Sequence, residues 1–168
     1  VTVNRLVGFT VSPLLKKAFG DAWSSPLVFR GVFAEIGVNG ESDRFASLNY
    51  DGDFSYSSEC AVAAGTREAQ EMMMERLADA PADQPLADAV AAALDAWAIG
   101  HRAVSAAGEE SDEGISNAAP GNAIAEYFAS ASEGLSVEAG VLERHRPSES
   151  RFRLLSPAEL KASPSANE

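Results

Sequence analysis

Few side chains in this sequence could do chemistry. His101 and His145 are its only imidazoles and Cys60 its only thiol. A serine triad needs serine, histidine and acid to converge. No serine sits in a Gly-x-Ser-x-Gly elbow, the strained turn that exposes such a nucleophile. An N-terminal threonine can use its own α-amino group as base, but Val1 precedes Thr2. Cys60 lies in a predicted strand between Glu59 and Ala61, with no base beside it to lower its pKa, so it reads as a structural thiol. His101 falls near a predicted helix end, where a solvated or capping role suits it. His145 lies between Arg144 and Arg146 and reads as a surface residue.

Metal and phosphate sites find as little support. One cysteine and two scattered histidines do not make a zinc spacing. Asp51 and Asp53 flank Gly52, which is a turn and not a twelve-residue calcium loop. Gly37 to Gly40 lacks the Lys-Ser/Thr ending of a phosphate-binding loop. The block Glu109-Glu110-Ser111-Asp112-Glu113 reads as a solvated loop. Met72-Met73-Met74 point in three directions on a helix, so at least one is buried. Another suits an inter-subunit contact, because methionine adapts to irregular surfaces. No catalytic, cofactor-binding or metal-binding residue is therefore assigned, and no cofactor is expected.

The elements that would position these residues come in blocks. Leu6, Phe9, Leu14, Leu15, Ala18 and Phe19 recur at helical spacing, with Gly20 as a stop. Pro13 either kinks this helix or places its start near Ser12. Leu27–Gly37 is β-branched, aromatic and almost continuously apolar, as in a strand covered on both faces. Asn39-Gly40 marks a turn, Arg44–Tyr50 alternates, Asp51-Gly52 is a strong hairpin signal, and Phe54–Ala64 completes a meander. Thr66 caps a helix to about Asp79. Asp83 and Pro85 open a second helix, which ends at Gly100 or runs to about Ser105. Residues 106–133 read as a long mobile loop, with a short helix across 122–130. Leu135–Val141 and Arg151–Leu155 give two more strands. Ser156-Pro157-Ala158-Glu159 is a capping box opening a terminal helix. Residues 1–162 form a single domain, followed by a disordered tail over 163–168. Strands and helices in blocks argue for antiparallel sheet with helices on its faces, an α+β fold.

Composition narrows the partners. The chain has 168 residues and a net charge of −12. Such a charge repels phosphate backbones and anionic lipid at long range, so nucleic acid and membrane are not expected. No apolar run reaches the roughly 18–20 residues of a membrane span, and no signal peptide is expected from the opening residues. A lone cysteine fits a reducing compartment, and a cytoplasmic location is expected.

Several phrases, taken in order, resemble the proteasome α-subunit of actinobacterial type. They are Gly31-Val32-Phe33-Ala34-Glu35-Ile36, Leu48-Asn49-Tyr50-Asp51-Gly52, Ala61-Val62-Ala63-Ala64-Gly65 and Leu86-Ala87-Asp88-Ala89-Val90. Leu135 through Leu142, then Arg146-Pro147 and Phe152-Arg153, follow. The resemblance spans residues 2–105 and 134–162. It implies an αββα four-layer sandwich, the N-terminal-nucleophile hydrolase architecture, of which this chain matches the C-terminal half. The family's first two hairpins and first long helix have no counterpart here, nor do its gate and the lysine pocket for activator tails. The lysine that would serve a threonine nucleophile also belongs to that part. The resemblance further implies a non-catalytic subunit of a heptameric outer ring that gates substrate entry for protein degradation. Its partners would be other α-type subunits, catalytic β-subunits and an ATPase ring or other activator. Bacterial members degrade proteins tagged with a small ubiquitin-like protein. The ring contact would involve the first helix and the loops around Asp51. Two other readings remain: half of a split N-terminal-nucleophile hydrolase with its catalytic residue on another chain, and a stand-alone interaction module.

Overall fold

The structure, a computed structural model, describes residues 2–23, 25, 27–81, 83–108, 121–147 and 150–161. It is mixed α+β with small antiparallel sheets, and the chain divides into two compact units, residues 1–63 and 64–168.

The first unit opens on a helix in three parts: α1 (Val3–Leu6), a π-helical turn (Val7–Val11) and α2 (Ser12–Gly20). Thr2 caps it, its hydroxyl accepting from the Arg5 N–H at 3.3 Å. Pro13 has no N–H to give to the preceding turn. The helix widens just before it, where the Ser12 N–H bonds to the Val7 carbonyl. That wide turn lets the helix run through Pro13. Strands β1 (Gly31–Glu35), β2 (Arg44–Leu48) and β3 (Phe54–Ser57) follow as an antiparallel meander in the order β1-β2-β3. Register pairs Phe33 with Ala46, and Ala46 with Tyr56. Asn39 (φ 55°) and Gly40 (φ 87°) make the first turn, closed by the Glu41 N–H on the Val38 carbonyl. Both residues tolerate positive φ, as this tight turn demands.

Val3, Val7 and Leu15 of the helix pack on Ala46 and Leu48 of the sheet, with Val11 and Phe33 beside them. A hydrogen bond from the Val3 N–H to Glu35 Oε2, at 2.9 Å, ties the helix start to β1. Tyr56 Oη donates to Asn4 Oδ1 at 2.8 Å and ties it to β3.

The second unit begins with α3 (Arg67–Ala78). Thr66 caps it as the sequence predicts, its hydroxyl accepting from the Ala69 N–H at 3.1 Å. Helix α4 (Leu86–Gly108) runs antiparallel to α3, since Arg76 meets Asp95 while Met73 meets Gly100. Alanine lines much of α4, and Ala92, Ala96, Ala98 and Ala103 are buried, which lets neighbouring elements approach closely. Helix α5 (Gly121–Ala131) packs on α4 through Ile124, with Ala98 and Ile99 opposite. Strands β4 (Gly140–Leu142) and β5 (Phe152–Leu154) pair antiparallel, and α6 (Pro157–Lys161) ends the described chain. The capping box forms: the Ser156 N–H reaches Glu159 Oε2 at 2.8 Å, and the Glu159 N–H reaches the Ser156 hydroxyl at 3.4 Å. Arg153 bridges Glu143 on one side and Glu159 on the other.

Several expected elements are shorter or longer than their sequence pattern. The strand expected over 27–37 pairs only over Gly31–Glu35, and the one over 54–64 only over Phe54–Ser57. The strand expected from Leu135 begins at Gly140, because β5 offers a partner only there. Gly100 does not stop α4, which continues to Gly108; packing against Met73 outweighs one glycine's cost. Helix α4 starts at Leu86, beyond both Asp83 and Pro85. Of the stretch expected as a loop over 106–133, residues 106–108 extend α4, and the short helix expected across 122–130 forms as α5 over Gly121–Ala131. Ile124 and Phe128, four apart, give α5 an apolar face to bury. The acidic block at 109–113 and the tail at 163–168 lie outside the described residues.

Candidate functional site

Thr2, Asp51, Asp53 and His101 are occupied locally. The Thr2 hydroxyl serves as the helix cap. The Asp51 carboxylate accepts from the Asp53 N–H at 2.9 Å and shapes the β2–β3 turn, while Asp53 lies 3.3 Å from the Lys16 ammonium. Cys60 follows β3 instead of lying within it and is half-buried. Burial pushes its thiol pKa up, and the Glu59 carboxylate adds to the shift. Both effects disfavour the thiolate, the reverse of what a nucleophile needs.

The two histidines are not brought into one site, since His101 lies inside α4 and His145 in the turn after β4, where it is exposed. His101 is well inside the helix and not at its end, so a capping role is ruled out. Its ring stacks on Trp97 with centroids 4.8 Å apart, and its Nδ1 lies 2.8 Å from Tyr127 Oη. Phe128 meets Trp97 edge-on at 5.6 Å. This aromatic group fastens α5 to α4, one turn from the Ile99–Ile124 core. The sequence hinted at it through Trp97 and His101, four apart on one helix face. Its α5 half falls in the short helix expected across 122–130, whose packing on α4 no local signal announces. Met72 packs at the same junction, and Met73 lies against Gly100.

Among the described residues, an apolar groove and a set of exposed apolar side chains stand out. In the second unit a groove of about 560 Å³ is walled by Leu86, Val90, Leu94, Trp97, Phe128 and Leu135. Ser132, Ser136 and Glu138 are its polar lining. Such a mostly apolar wall suits an apolar surface. In the first unit large apolar side chains stand in solvent: Phe9 is 77% exposed, Val28 80% and Trp23 99%. Among the described residues, no group of three or more His, Cys, Asp or Glu is placed to hold a metal ion. Nor is any helix among them long and apolar enough to cross a membrane. No protein-family model, no curated protein and no solved structure matches the chain.

Proposed function

We propose that this chain is a non-catalytic α-type subunit of a proteasome core particle, building an outer ring and gating substrate entry for protein degradation. The observation that carries the reading is the exposure of large apolar side chains, Trp23, Val28 and Phe9 foremost. These side chains call for cover, and a subunit of an outer ring meets a neighbour on each side and a second ring at one end. The order of elements supports the same reading. The phrases that resemble the family fall on β1, on the β2–β3 turn, on the lead into α3, on the first turn of α4 and on β5. In this reading the antiparallel sheets belong to a helix–sheet–sheet–helix sandwich completed in the assembled particle. Catalysis then belongs to the β-subunits, in keeping with a Cys60 thiol held away from ionisation.

The test is affinity isolation of the tagged chain from its source, followed by N-terminal sequencing of what accompanies it. The reading expects a second chain in stoichiometric amount that begins with threonine and carries the proteolytic activity. Recovery of the chain alone would overturn it.

A further inference from the structure

We draw no further inference here: the strongest candidate, the apolar groove between α4, α5 and the stretch leading into β4, carries nothing because nothing in the structure shows what covers it.

Discussion

Ser12 donates its hydroxyl hydrogen to the Gly52 carbonyl at 2.6 Å, joining two residues 40 positions apart. The bond is buried and pins the helix onto the tip of the β2–β3 hairpin. It also explains why that tip needs glycine. A Cβ on Gly52 would lie 2.6 Å from the Ser12 carbonyl oxygen and 2.5 Å from Lys16 Cγ, and the residue has φ +83°.

Replacing this glycine therefore carries two penalties. Gly40→Ala serves as the control, because its φ of +87° is equally unfavourable but its Cβ meets open space. That control is expected to cost about 1–2 kcal/mol, the backbone strain alone. Gly52→Ala is expected to cost at least twice as much, since helix backbone cannot step aside as a side chain can. Chemical denaturation of the two variants checks the order. Equal losses would mean that the hairpin tip does not rest on the helix.

Helix α4 gives a case in which the sign should invert. Glycine inside a helix costs about 1 kcal/mol relative to alanine, so Gly100→Ala ought to stabilise. A Cβ there, however, would collide with Met73 Sδ and come within 2.7 Å of Met73 Cγ. Moving Cγ means changing the rotamer of a packed side chain, at about 1–3 kcal/mol. Gly100→Ala alone should destabilise, whereas in a Met73→Ala background it should stabilise by about 1 kcal/mol. Thermal unfolding of the four chains in this double-mutant cycle measures both signs.

These two glycines show what the sequence reveals and what it conceals. Asp51-Gly52 announces a turn, because few residues accept positive φ. Thr66 and the Ser156–Glu159 box announce helix starts, because their bonds are local. Gly100 signals a stop equally well by local rules, yet its reason is Met73 on another helix. Leu135 and Val137 alternate like a strand, but a strand also needs a partner, and β5 is too short to reach them. The aromatic group of Trp97, His101, Tyr127 and Phe128 was half legible. Its α4 members share a face at helical spacing, while its α5 members lie in an expected short helix whose packing partner the sequence does not name. The α+β class was legible throughout.

The carboxyl of Glu159 should titrate below the ordinary value of 4.5. Its carboxylate accepts from the Ser156 N–H first, then from the Ser156 hydroxyl, with Arg153 adding attraction. A depressed folded pKa means stabilisation that is complete above the unfolded value and lost as pH falls through the folded one. The α6 cap should thus hold at neutral pH and loosen only as pH falls through the depressed value of this carboxyl. Ser156→Ala removes the hydroxyl but keeps the backbone donor, so the midpoint should return only part of the way. Carbon-detected NMR titration of Glu159 reads it directly. A midpoint at or above the ordinary value would show that the box is open in solution.

Cys60 should alkylate slowly. Burial and the neighbouring Glu59 carboxylate both raise its thiol pKa above 9.0, and only the thiolate reacts. The rate of iodoacetamide labelling should keep rising beyond the ordinary thiol range, and Glu59→Gln should shift the profile to lower pH. Fast labelling at neutral pH would instead revive a nucleophilic role for this residue and weaken the case for a non-catalytic subunit.

The central claim is that this chain is one member of a ring. Native mass spectrometry of the particle isolated from its source tests that most directly. The account predicts an assembly containing the chain in multiples of seven together with a second subunit type. A lone species near 17.6 kDa would contradict it, and would favour an interaction module that works as a single chain.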